Sequence, residues 1–242
     1  MSVVSTSAHP VRDRRSRWVL VAVVAFLLGG LAVALLDDLD VFGGSSGSTT
    51  EGSGVPAMQA RDVAPFDGVE LAGVNNVVVR VGEKQSVVVR ADDNLLGRIT
   101  TEVRSGRLVI SNTPGSFETK SPMSVEVTVP TISALTLTGS GNIVVDDIRS
   151  ERLEVRLPGS GTVTGSGTAT RLDVSVGGSG MVQVTRVVAD DVRAVVSGSG
   201  SIFVTATKRL DASVSGSGAI LYAGSPQDVT KDVTGTGAIT GG

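Results

Sequence analysis

The chain has 242 residues, no cysteine, thirty-one glycines, 3% aromatic residues and a formal net charge of −3. Without cysteine there is no disulfide framework, thiolate metal site or cysteine nucleophile, and with so few rings the core must be filled by Val, Ile, Leu, Ala and Thr, mostly sheet formers. Arg12, Arg14, Arg15 and Arg17 against Asp13 give residues 1–17 a net +3, so the remainder carries −6, the wrong sign for nucleic acid.

Trp18 to Leu36 reads WVLVAVVAFLLGGLAVALL, 19 residues without a charge, long enough to span about 30 Å of hydrocarbon. Arginines precede it and Asp37, Asp38 and Asp40 follow it. The positive-inside rule then leaves residues 1–17 in the cytoplasm and exports everything after Leu36. The expectation is one N-terminal transmembrane helix over 18–36, a signal anchor in the cell membrane. A cleaved signal peptide is the alternative, because Ala32-Val33-Ala34 has the small-x-small form of a cleavage site.

Residues 37–60 read as a flexible linker, from the low-complexity run Gly43 to Gly54. Residues 61–242 form the ectodomain, with a strand-rich part over 61–130 and repeats over 131–242. In the first part Val77–Val81 and Ser86–Arg90 are β-branched runs separated by Gly82-Glu83-Lys84-Gln85, the pattern of a hairpin. Ile99–Val103 and Arg107–Ser111 flank a Ser105-Gly106 turn. Val125, Val127 and Val129 alternate with Glu126 and Thr128 and predict a half-buried strand closed by Pro130.

The repeats settle the architecture. Gly-Ser-Gly begins at Gly139, Gly159, Gly178, Gly198 and Gly216, and Gly-Thr-Gly at Gly235, at intervals of 20, 19, 20, 18 and 19 residues. So regular a period marks a repeat protein. An extra copy, Gly165-Ser166-Gly167, is out of phase and reads as a loop within a coil. Each unit places a short apolar strand after the glycines (Ile143 and Val145; Ile202 and Val204) and a longer alternating strand before the next corner (Leu153, Val155, Leu157; Leu172, Val174, Val176). The interleaved Glu154, Arg156, Asp173, Ser175, Arg193, Asp211 and Ser213 face solvent. One coil of this length cannot bury its apolar side alone. Stacking at about 4.8 Å supplies each strand with a parallel neighbour and joins the apolar sides into one core. The fold class is all-β, a parallel β-helix or solenoid. Its corner glycines are expected to supply positive-φ turns, and Ser140, Ser160, Ser179, Ser199, Ser217 and Thr236 to form a hydroxyl ladder.

Several of these segments together resemble the GIN-domain family of putative autotransporter adhesins. They are Val77–Val81, Val87–Arg90, Ala91-Asp92-Asp93-Asn94-Leu95-Leu96, Gly106-Arg107-Leu108-Val109-Ile110, and Val129-Pro130 leading into Leu135-Thr136-Leu137-Thr138-Gly139-Ser140-Gly141. The resemblance spans roughly residues 61–230 and implies a right-handed β-helical solenoid of the cell envelope.

Chemistry is sparse. His9 is the only histidine and precedes the apolar run, so a histidine triad or histidine metal site in the ectodomain is excluded. The Gly-Ser-Gly motifs lack the strand-to-helix context of a nucleophile elbow and the spacing of a dinucleotide loop. Asp146-Asp147 and Asp190-Asp191 fall in equivalent variable stretches and offer a cation site or a glycosidase pair, but calcium solenoids repeat their aspartates at fixed positions and this chain does not. Solvated loop acids are the better reading. Arg149, Arg152, Arg171 and Arg193 show no recognisable constellation. Phe203 and Tyr222, at neighbouring-coil positions, offer a small stacked patch, with packing within the coil the better reading. No catalytic, metal or cofactor residue is assigned. The expected role is a non-enzymatic adhesion or protein-interaction module. An accessory or sensory envelope subunit and a polysaccharide-binding or polysaccharide-active protein are the alternatives. Expected partners are the membrane and an envelope protein or glycan, with homo-oligomer formation through the open edge of the last coil.

Overall fold

Strict alternation of apolar and polar residues becomes stacked columns in the computed structural model, which describes residues 49–242. Four long strands carry the repeats: β11 (Asn142–Leu157), β12 (Thr162–Val176), β13 (Met181–Val196) and β14 (Ser201–Gly216). Each pairs in parallel with the next. The segment after each corner forms a leading face and the segment before the next corner a trailing face. Leu153, Leu172, Val192 and Leu210 stack in register on the trailing side, and Ile143, Val163, Val182, Ile202 and Ile220 on the leading side. All are essentially removed from solvent. Among the described residues Phe66 is the only ring in the buried core, so aliphatic residues do build it. The all-β solenoid stands as expected.

The corner glycines serve a purpose other than the one expected. Of the twelve in the six corners, only Gly216 and Gly235 have left-handed φ, 130° and 112°. What the corners share is contact with the coil below. A Cβ on Gly159 would lie 2.2 Å from the Gly139 carbonyl oxygen, on Gly161 1.9 Å from that of Gly141, and on Gly200 2.4 Å from that of Gly180. Main-chain hydrogen bonds run from corner to corner, as from the Thr162 N–H to the Gly141 oxygen (3.3 Å) and from the Ser201 N–H to the Gly180 oxygen (3.1 Å). The hydroxyl ladder forms at one step only, Ser217 to Thr236 at 3.0 Å. Ser140, Ser160, Ser179 and Ser199 face solvent instead.

Gly165-Ser166-Gly167 is not a loop. It lies within β12, with Gly165 opposite Val145 and Gly167 opposite Ile148. The irregularity belongs to the preceding coil, where Asp146 and Asp147 bulge against the single Ser166 and Asp147 takes φ 61°.

Residues 61–130 are built into the same solenoid. β3 (Gly68–Leu71) lies between β7 (Arg107–Asn112) and β10 (Ala134–Leu137), and β4 (Asn76–Val81) between β9 (Ser124–Val129) and β11. The expected hairpin of β4 with β5 (Ser86–Asp92) does not form, because β9 runs between them, parallel to β4 and antiparallel to β5. The Ser105-Gly106 turn does join an antiparallel pair, β6 (Ile99–Arg104) with β7. Its two residues have φ 50° and 76°, the positive values that a tight hairpin requires.

Residues 49–60, expected as linker, are folded onto this end. β1 (Thr50–Glu51) pairs with β8 (Phe117–Glu118), and β2 (Pro56–Ala60) with β5. Between them the chain crosses the buried carboxylate of Asp92. That group accepts hydrogen bonds from the main-chain N–H of Gly54 (3.1 Å), Lys120 (2.9 Å) and Ser121 (3.3 Å). The passage is so close that a Cβ on Gly52 would stand 2.1 Å from Asp92 Oδ2. The Ser121 side chain first, then these amides, hold the Asp92 pKa below the usual carboxylate range, with burial opposing them. A depressed folded pKa contributes stability that is complete above the unfolded value, about pH 4, and is lost as pH falls through the folded value. Asp92→Asn is therefore expected to lower the urea midpoint near neutral pH and to flatten its fall below about pH 4. Urea titrations of wild type and variant across that range check it.

The basic tail 1–17, the apolar run 18–36, the linker to residue 48 and His9 lie outside the described residues. Among the described residues, no helix is long and apolar enough to cross a membrane.

Candidate contact surface

The outward positions of the two faces differ in chemistry. On the leading face, seven neighbouring strands are in register: β4, β11, β12, β13, β14, β15 (Ala219–Ala223) and β17 (Ala238–Gly241). One outward column reads Asn76, Asn142, Thr162, Met181, Ser201, Ala219, Ala238. The next reads Val78, Val144, Thr164, Gln183, Phe203, Leu221, Thr240. None of these fourteen side chains is charged. Asn142 Nδ2 donates to Asn76 Oδ1 at 2.9 Å, which ties the first two coils of the strip together.

The trailing face over the same coils is a lattice of ions. Its columns are Arg152, Arg171, Asp191, Arg209, Asp228 and Glu154, Asp173, Arg193, Asp211, Thr230, the last of each from β16 (Asp228–Gly235). The order Arg-x-acid is inverted only in β13. From β12 onward the inversion sets opposite charges next to each other in adjacent strands, the favourable cross-strand arrangement. A shallow cleft of about 290 Å3 lies among Arg152, Glu154, Arg156, Asp173 and Arg193. Arg152 reaches Asp173 at 2.9 Å, and Arg156 pairs with Glu154. Each carboxylate in the cleft is thus matched to a guanidinium. Glu154, Arg156, Asp173 and Arg193 were visible in the sequence as outward positions, but their grouping with Arg152 depends on register.

The carboxylates singled out in the sequence do not come together. Asp146-Asp147 occupies the corner after the leading segment, where Ser166 Oγ donates to Asp146 Oδ1 at 3.0 Å. Asp191 pairs in register with Arg171 and so begins the trailing face, with Asp190 just before it. Asp190 accepts from Thr207 (2.9 Å) and pairs with Lys208 (2.9 Å), and these two bonds, Lys208 first, hold its pKa low. The stretches are not equivalent, because the bulge at Asp147 shifts the count that sequence spacing relies on. Among the described residues, no group of three or more His, Cys, Asp or Glu is placed to hold a metal ion. Of the four arginines, Arg152, Arg171 and Arg193 share the trailing face, and Arg149 lies at a separate hollow with Asp147 and Glu83. Phe203 and Tyr222 do not stack. Phe203 pairs with Leu221 and points outward, whereas Tyr222 pairs with the buried Val204 and points in.

Sequence reasoning missed one corner. Gly73-Val74-Asn75 stacks directly under Gly139-Ser140-Gly141, since the Ser140 N–H reaches the Gly73 oxygen (3.2 Å) and the Asn142 N–H that of Asn75 (3.1 Å). Asn75 is buried and exchanges side-chain hydrogen bonds with Asn112, at 3.2 and 3.3 Å. The signal was Gly73 itself, concealed because the chain makes another coil before returning to the stack.

The model of the putative auto-transporter adhesin head GIN domain matches residues 65–226. The chain belongs to this family. The GIN-domain match runs from the residues just before β3 to just beyond β15, and so leaves out the folded segment 49–60 and the last coil. No curated protein sequence matches the chain. Among solved structures, a putative adhesin from Bacteroides fragilis superposes with TM-score 0.67 at 22% identity, covering 79% of this chain and 99% of that one. A putative adhesin and a putative lipid binding protein, both from Parabacteroides distasonis, each give TM-score 0.52 at 21% identity, covering 81% of this chain and 100% of theirs. These likenesses show that proteins of distant sequence share the fold.

Proposed function

We propose that this GIN-domain protein is a cell-envelope adhesion module that works by contact and catalyses no reaction. In this reading residues 18–36 anchor it in the cell membrane, residues 1–17 stay in the cytoplasm, and the solenoid stands outside. Its coils wind right-handed, the sense that parallel crossovers favour. The observation that carries the reading is the charge-free strip of fourteen outward residues on the leading face, opposite a face crowded with ions. Depletion of charge with Met and Phe at the centre is the compositional mark of interface cores. The family's adhesin description points the same way. The separation of Asp146 from Asp190 and the ion-paired cleft count against polysaccharide chemistry.

The test is retention of envelope components by the full-length chain. Wild type is expected to hold a component that Leu221→Lys loses and Asp211→Lys keeps. Turnover of an envelope polysaccharide, abolished by substituting Asp146 or Asp190, would overturn the reading.

A further inference from the structure

Resting on that reading of the leading face, we propose that its partner is the same face of a second copy of this chain. Met181 and Leu221 are 36% and 41% exposed, and Phe203 lies between their strands, directly opposite Leu221. Thr164, Gln183 and Ser201 surround them, so an apolar centre has an uncharged polar rim. Two-fold pairing sets every group on a patch against the same patch. A face of one charge sign would meet its own sign there, at a cost. This strip has no sign to meet. It is equally poor at holding a strongly charged partner, which would find no counter-ion on it.

The size of the strip sets the strength. Five strands centred on Phe203, about 4.8 Å apart and about five residues long at about 3.3 Å each, give a face of about 400 Å2 per copy. Stable interfaces take about 800 Å2 per partner. The contact is weak between free molecules and becomes effective where many copies are held in one plane, through multivalency.

The sheet edge at β16 is the competing route to self-association, and Lys231 argues against it. It continues the inward column Val155, Val174, Ala194, Ala212, and its amine lies 4.7 Å from the centre of the Tyr222 ring. An inward charge on an outer strand is a device against adding a further strand. The second copy therefore meets the face, and not the β16 edge.

The chain has no cysteine, so single introduced cysteines report contact cleanly. Full-length Ser201→Cys, in phosphatidylcholine vesicles at high surface density, is oxidised beside Ser213→Cys, which lies on the trailing face. The expected result is roughly tenfold or more disulfide-linked dimer from Ser201→Cys, with the excess lost when Leu221→Lys is added. Equal yields, or an excess that survives Leu221→Lys, overturn the proposal. Flotation of the same vesicles reports anchoring separately, and an unanchored chain is oxidised in concentrated solution with the same two criteria. Retention of a neutral polysaccharide by wild type but not by Leu221→Lys, without dimer, overturns the second copy and leaves the contact face standing.

Discussion

Gly161→Ala is expected to destabilise the protein by about 3 kcal/mol or more, the upper range for forcing atoms into a packed interior. Ser160→Ala, one residue away, is expected to change stability by no more than about 0.5 kcal/mol. The added methyl would stand 1.9 Å from the Gly141 carbonyl oxygen and 2.8 Å from Leu137 Cδ2. Neither can retreat. The first is main chain bonded to the next coil through the Thr162 N–H, and the second belongs to a fully buried side chain. Relief requires opening the stack at that corner, which breaks the ladder on both sides of it. Paired urea denaturations of the two variants measure the contrast. Equal stabilities would show that stacking at this corner leaves room for a side chain.

Leu172→Ala is expected to cost about 3 kcal/mol, within the usual range for deleting a buried leucine side chain. Leu172 is fully buried and stacks between Leu153 and Val192. Each coil of a solenoid touches only its neighbours, so stability is close to a sum of coil and interface terms. A defect in a middle coil should therefore weaken cooperativity as well as stability. Hydrogen exchange is expected to show β12 and its neighbours opening at lower free energy than the N-terminal strands, whose contacts are unchanged. Ser175→Ala, outward on the same strand, should leave exchange unaltered. Uniform loss of protection over the whole sheet would contradict this picture of locally coupled coils.

The repeat half was legible because its information is local. Period 2 gives the inward residues, the 18 to 20 residue interval gives the stacking, and together they assign Leu153, Leu172 and Leu210 to one column without any coordinates. The N-terminal half was legible as strands but not as topology. Nothing local in Val77–Val81 or Ser86–Arg90 reveals that Ser124–Val129 will lie between them. Their valine runs suit either partner, and the choice is made by contacts far apart in the chain. Residues 49–60 were misread as linker because composition cannot distinguish glycine used for freedom from glycine used for close approach, as Gly52 is against Asp92. The contact surface was hidden for another reason. Thr162, Met181, Ser201 and Ala219 are unremarkable one at a time, and their meaning arises only when register sets them side by side.

Contact through the leading face is put to the test by adhesion of vesicles bearing the full-length chain to envelope fragments. Two double variants are compared with wild type. Thr164→Lys with Leu221→Lys places charge on the leading strip, and Arg193→Ala with Asp211→Ala removes charge from the trailing lattice. The expected result is loss of adhesion with the first pair and retention with the second, both folded by their β-sheet circular dichroism. Adhesion that survives the leading pair, or fails with the trailing pair, would contradict the account.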